Sequence, residues 1–281
     1  MKARKLAGLV CAGGASQSFL ARMPVLLERI GPVKGTSLRV SRRIANGLRA
    51  GTGVADWAPL AACALIWIAV PESSLDSVCA ELASAVPLAG KMIVLCDAMR
   101  DSFWPSPLRT AGARVAALSC IPETRERVFV ADGHPEVLAE LRKLLAQEGR
   151  RLIELRPAAK SLFLCGLHLS ADLLLPLIAG AVESLRAAGF SRDEATRTVE
   201  AIGTKALRSY AKAGPKAWKR ASAERLHRAI AQDLEAVRLT DARLATLCMA
   251  GFQAALSFFA PESGGRSHSS RGIFKVARGT R

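Results

Sequence analysis

The sequence predicts an α/β chain in which a doubly wound, mostly parallel sheet over residues 1–156 precedes an all-helical region over 157–260. Three observations predict it. Residues 6–11, 64–70 and 91–96 are short runs apolar at nearly every position, as parallel strands covered on both faces must be. Helical stretches separate these runs, which is the alternation a parallel sheet needs for its crossovers. After Pro157 no strand signal remains, and Ala- and Leu-rich helical patterns take over. A chain of 281 residues, half of them hydrophobic, fits two domains better than one.

In order, residues 6–11 form the first strand and Ala12-Gly13-Gly14 a turn, and a helix runs from Ser16 to about residue 30. A second strand covers 36–41 and a short helix 42–49. The strand over 64–70 ends at Pro71, and Ser73 or Ser74 caps a helix through residue 85. Strands at 91–96, 114–118 and 127–131 follow. Asp132-Gly133-His134-Pro135 opens a helix to residue 148, its proline suited to the first turn. The last strand is 151–155. Beyond Pro157 one long buried helix covers 158–188 and stops at Gly189. Ser191 and Glu194 form a capping box for the next helix. Further helices cover 204–213, 215–231 and 234–259, and the Gly-, Ser- and Arg-rich segment 261–281 is a disordered basic tail.

Forty basic against twenty-four acidic residues give a net charge of +16. Such a chain attracts polyanions. The charge gathers at Lys205, Arg208, Lys212, Lys216, Lys219, Arg220, Arg225 and Arg228, and again in the tail. No zinc-finger spacing, aromatic–basic sheet motif or zipper accompanies it, so nucleic acid is not the expected partner. Seven scattered cysteines without a C-x-x-C pair argue for a reducing cytoplasm and against a zinc site or disulfide framework. Residues 162–185 are apolar enough to suggest a membrane span, but His168, Asp172, Pro176 and Glu183 within them are costly in lipid, so no membrane is expected.

A dinucleotide fold places glycines in the first strand-to-helix turn for tightness, for close approach of backbone to pyrophosphate, and for helix–strand packing. The matching window is Cys11-Ala12-Gly13-Gly14-Ala15-Ser16, in which Gly13 falls on the pattern and small Cys11 and Ser16 replace glycines. This is a Rossmann-like reading, with Ala12, Gly13, Gly14 and Ser16 around the pyrophosphate. An acid after the second strand would hold the ribose hydroxyls of NAD, whereas arginine accommodates the extra phosphate of NADP. Here Ser41-Arg42-Arg43 stand there with no acid, which favours NADP. Val70 and Pro71, at the end of another strand, line the same cleft.

The segment 6–21, the phrase Val40-Ser41-Arg42-Arg43 and Ile68-Ala69-Val70-Pro71-Glu72 resemble Rossmann-like proteins related to pyrroline-5-carboxylate reductase and 6-phosphogluconate dehydrogenase. Among these is an uncharacterised bacterial family with a helical C-terminal domain of unknown function, and the resemblance runs over about residues 5–258. It implies that the long helix opens with a functional lysine, here Lys160. The Tyr and His that follow in that family are Phe163 and Leu164 here, its Asn is Asp172, and its late His-Pro pair is Ile121-Pro122. Its Gly-Pro stretch corresponds to Gly214-Pro215. Two proton-moving histidines are thus replaced. The residues offer a substitute: Lys160, Leu164, His168 and Asp172 recur every fourth position on one helix stripe. His168 can pair with Asp172, while Lys160 holds a substrate carboxylate or assists proton transfer. The expected function is an NADP-linked oxidoreductase acting on a small substrate. A catalytically degenerate nucleotide-binding protein is the alternative, and a basic nucleic-acid or anionic-surface binder the third. The apolar face over 162–178 is expected to form a homodimer through the helical region.

Overall fold

The computed structural model describes residues 6–12, 20–21, 23–96, 106–121, 128–217, 234 and 236–259. The chain divides into two compact units, Met1–Leu167 and His168–Arg281.

The first unit is built on eight strands: β1 (Ala7–Cys11), β2 (Ile30–Lys34), β3 (Thr52–Val54), β4 (Leu65–Ala69), β5 (Met92–Cys96), β6 (Arg114–Ile121), β7 (Val128–Gly133) and β8 (Leu152–Glu154). Their order is β3-β2-β1-β4-β5-β6-β7-β8. Pairing is parallel except between β6 and β7. The order reverses between β1 and β4, which lie side by side with Cys11 opposite Ala69. Helices cover both faces, and this is why β4 and β5 are apolar throughout. The one-turn α1 (Pro24–Leu27), α2 (Leu38–Leu48) and α5 (Pro135–Gln147) pack on the face that buries Trp67 and Phe129. The face of Ile66 and Ile68 is covered by α3 (Glu72–Ala85) and the short α4 (Ser106–Thr110). Burying a side chain such as Leu82 or Leu141 contributes roughly 1.5–3 kcal/mol.

The expected elements shift near the second strand. The helix expected to residue 30 gives way earlier, and residues 30–34 form β2. Gly31-Pro32 reads as a turn in sequence, yet Pro32 sits in the strand where the β1–β2 register slips between Ala7 and Leu9. Proline's missing N–H is tolerated at such an irregularity. Residues 36–41, expected as a strand, instead start α2. Ser37 is its N-cap, its hydroxyl accepting from Val40 N–H at 3.3 Å. Gly53 of β3, a strand absent from the sequence reading, presses on α2: a Cβ there would lie 2.5 Å from Arg42 N. At α3 the cap position is Pro71, and neither Ser73 nor Ser74 caps. Helix α5 is capped by His134, whose ring accepts from Glu136 N–H.

Glu148, just past α5, caps α1 from a distance of more than 120 residues. Its Oε1 accepts from Val25 N–H at 2.9 Å and Leu26 N–H at 3.4 Å. Burial pushes its carboxyl up, with those two N–H groups and Arg150 pulling the other way. A raised folded-state value means that ionisation subtracts stability at neutral pH. The penalty disappears as pH falls through the folded value toward the unfolded one. Glu148→Gln keeps the accepting oxygen and is expected to raise the melting temperature at pH 7–8. Thermal melts should show the gain vanishing below about pH 4.

The boundary between the units falls within α6 (Lys160–Ser170). In the second unit, α7 (Leu174–Ala187), α8 (Arg192–Ala213) and α9 (Ala242–Phe259) follow. The single helix expected over 158–188 is therefore two. Pro176 offers no N–H to residue 172 and its ring crowds that carbonyl. The chain turns at 171–173, with Leu173 N–H returning to His168 O. The Ser191–Glu194 capping box forms as expected. The helices expected at 192 and 204 are one, α8, because nothing between them stops the ladder. Of the helix expected over 215–231, only a 3-10 turn at Gly214–Ala217 falls within the described residues. The tail from 261 lies outside them.

The long apolar segment is not buried, contrary to expectation. The stretch Lys160–Ala187 has mean hydropathy 1.9 over its most apolar window, none of which is buried. By length and composition alone it is long and apolar enough to cross a membrane. Leu162 is 76 % exposed and Leu175 63 %. Within the second unit, the buried apolar side chains among the described residues are Ala195, Ala245 and Phe252.

Candidate nucleotide and active site

At the reversal point of a doubly wound sheet, ligands bind outside the carboxyl ends of the strands. β1, β2 and β4 end there with Cys11, Lys34 and Ala69. Ala12 N–H donates to Ala69 O at 3.3 Å, so this amide joins the two strand ends and is not held open for a ligand. Gly13, Gly14 and Ser16 lie outside the described residues. Val70 is half-buried against the α3 side of the core, and Pro71 is exposed beside it. Glu72 opens α3, so that helix start carries an acid. It suits a phosphate less well than the start of α2, where no acid occurs between Lys34 and Arg43.

Ser41 leaves the phosphate-binding set. It is wholly buried in α2, where its hydroxyl accepts from Gly35 N–H at 2.8 Å and reaches the carbonyls of Ser37 and Val54. It ties α2 to the ends of β2 and β3. Gly35 is buried at the same corner, and a Cβ there would stand 3.0 Å from Ser41 N and from Val40 Cγ1. Arg42 and Arg43 are exposed on the second turn of α2, and Arg39 is exposed on the first. Lys34 Nζ donates to Gly35 O at 2.6 Å and stands 4.9 Å over the Trp57 ring. Three exposed arginines thus lie on the first two turns of α2 and Lys34 just before it, at a helix start where Ser37 caps Val40 N–H and the N–H groups before it have no partner within the helix. This chemistry fits a phosphate ester on the adenosine side of a dinucleotide. The sequence reading missed Lys34 and Arg39 because it placed β2 six residues late.

Lys160, expected as an accessible substrate ligand, is 2 % exposed. Its ammonium donates to Ser119 Oγ at 3.2 Å, lies 3.6 Å from Asp132 Oδ1 and stands 5.8 Å over the Phe163 ring. The antiparallel register sets Asp132 opposite Ala117, so Asp132 and Ser119 share one face of β6–β7. Ser119 is half-exposed near the carboxyl end of β6, and Asp132 is buried. Neither residue was singled out in the sequence. The only hint is the Asp132-Gly133-His134-Pro135 helix start, and the pairing itself depends on which strands meet. In the second unit the expected His168–Asp172 pair forms, Nδ1 to Oδ2 at 2.7 Å, with both side chains exposed. Among the described residues no group of three or more His, Cys, Asp or Glu side chains could hold a metal.

No protein-family model matches the chain, and no curated protein matches it by sequence. Solved structures do match. A Bacteroides fragilis protein described as an NADP oxidoreductase matches with TM-score 0.66 at 14 % identity, over 90 % of this chain and 98 % of its own. An imine reductase of Myxococcus stipitatus, in complex with NAD+, matches with TM-score 0.63 at 14 % identity, over 91 % and 99 %. A pyrroline-5-carboxylate reductase of Coxiella burnetii matches with TM-score 0.50 at 14 % identity, over 89 % and 96 %. At these identities the likeness is one of fold: the chain has the Rossmann-like sheet and following helices of these oxidoreductases, along nearly the whole length of each.

Proposed function

We propose that the chain is an NADP(H)-linked oxidoreductase acting on a small substrate with a C=N or C=O group. The observation that carries this reading is the acid-free, cation-rich start of α2, set beside the β1–β4 reversal of a doubly wound sheet. Lys34, Arg39, Arg42 and Arg43 would hold the adenosine-side phosphate, and Val70 and Pro71 would line the cleft. When bound, the cofactor supplies the hydride. The chain's own contribution is a proton. Ser119 stands in the half of the sheet that takes the second nucleotide. Ser119 would give its hydroxyl proton to the substrate heteroatom as the hydride arrives and take one in return from the Lys160 ammonium, which donates to its oxygen at 3.2 Å. Lys160 thereby orients Ser119 and resupplies its proton rather than holding the substrate, with Asp132 Oδ1 3.6 Å from its Nζ. The second reading, a binder without turnover, is favoured by the burial of that same lysine.

NADPH is expected to quench tryptophan emission saturably, Trp57 being beside Lys34, and to bind at least tenfold more tightly than NADH. Arg39→Glu with Arg43→Glu should abolish that preference while leaving NADH binding intact. An unchanged preference overturns the assigned site. We also propose that a second copy of the chain covers the apolar side of the second unit. There, α7 and α8 line a groove of about 950 Å³ with Leu174, Ile178, Val182, Ile202, Leu207 and Tyr210. The same unit carries further exposed apolar side chains on α7, Leu175 and Leu177, and groove and apolar ridge on one chain are the ingredients of a self-complementary twofold interface.

A further inference from the structure

A second charged feature belongs to the second unit. Arg197, Lys205, Arg208 and Lys212 occupy one side of α8 and line a shallow groove of about 590 Å³ with Ala201, Thr204 and Ser209. At 3.6 residues per turn the four cations fall within roughly a quarter of the helix circumference. They extend along about 22 Å of its axis. Glu200 is the one acid on this groove. Asp193 and Glu194 belong to the first turn, where Ser191 holds Glu194 in the capping box. The apolar residues Val199, Ile202, Ala206 and Tyr210 face the other groove of the same helix. The two grooves share Glu200, Thr204, Lys205 and Ser209 along their border, and covering the apolar one leaves Arg197, Arg208 and Lys212 on the open side.

We infer that this face of α8 binds the sugar–phosphate backbone of nucleic acid without reading sequence. The rises from Lys205 to Arg208 and on to Lys212 are about 4.5 and 6 Å, comparable with one or two nucleotide steps of about 3.4 Å along a strand. Thr204 and Ser209 add hydroxyl donors of the kind that contact phosphate. An anionic membrane is disfavoured by the same geometry. An interfacial helix buries the apolar side chains that adjoin its basic border, and here those side chains, Ile202, Leu207 and Tyr210, line the groove that the second copy is proposed to cover. In sequence the basic run continues through Lys216, which is described, and Lys219, Arg220, Arg225 and Arg228, which lie outside the described residues.

The test uses the full chain, a fluorescein-labelled 20-base-pair DNA duplex of arbitrary sequence, and fluorescence anisotropy at 50–200 mM salt. Four phosphate contacts predict a log–log slope near −3.6 and roughly a hundredfold loss of affinity across that range. The variant Lys205→Glu, Arg208→Glu, Lys212→Glu should lose at least tenfold at 50 mM salt and show a shallower slope. The corresponding glutamine variant serves if circular dichroism shows that charge reversal disturbs α8. Arg39→Glu with Arg43→Glu, on the first unit, should bind the duplex as the wild type does. Equal affinity and slope in wild type and α8 variants overturn the inference. So does retention on phosphatidylserine vesicles that the α8 variants lose, in a protein that ignores the duplex.

Discussion

Replacing Lys160 with methionine is expected to lower the free energy of unfolding by about 3 kcal/mol, the low end of the cost of breaking a buried pair from one side. The side chains of Lys160 and Asp132 are only 3 % and 9 % exposed. Removing the ammonium takes away the positive charge 3.6 Å from a buried carboxylate. The separation of 3.6 Å is loose for an ion pair, which places the estimate low in the range. Urea unfolding measures the loss. The double variant Lys160→Met, Asp132→Leu should recover at least half of it, because two apolar side chains of similar volume remove both charges of the pair. Ser119→Ala should cost about 1 kcal/mol, a single hydrogen bond's worth. If the double variant is as unstable as the single one, the pair is not what makes Lys160 costly to lose.

The second large effect is expected on the helical side. Ile178→Asp with Leu207→Asp places two carboxylates in the groove between α7 and α8 and should weaken self-association roughly a hundredfold or more, as loss of a central apolar anchor does at an interface. Sedimentation velocity across a hundredfold range of protein concentration reads this directly. Both positions are substantially exposed in the single chain, Ile178 at 40 % and Leu207 at 66 %, so the variant should keep its helix content. A wild-type chain that sediments as a monomer at every concentration would remove the proposed partner.

How much of this was legible in the sequence follows from what each residue contacts. β4 and β5 are plain because both of their faces meet helices, so the apolar run has no gaps. β2 is hidden because Gly31 and Pro32 signal a turn, and only the slipped register beside Ala7 lets them lie in a strand. That misplacement carried Ser41 into the phosphate site and left out Lys34 and Arg39. The reversal of β7 against β6 is likewise invisible locally, and it alone sets Asp132 opposite Ala117. Lys160 was readable as a special residue, whereas its burial was not, because its partners lie 28 and 41 positions away. The His168–Asp172 pair was readable since four residues along a helix bring side chains together whatever surrounds them.

Among the described residues of the second unit buried apolar side chains are scarce, and this bears on the order in which the chain matures. The sheet emerges first during synthesis and has its hydrophobic interior from its own helices. The described later helices, α7, α8 and α9, bury few apolar side chains among themselves, so local propensity must hold them until something covers them. In that interval their leucines are displayed to every other chain in the vicinity, and yield on expression should depend on how quickly cover arrives.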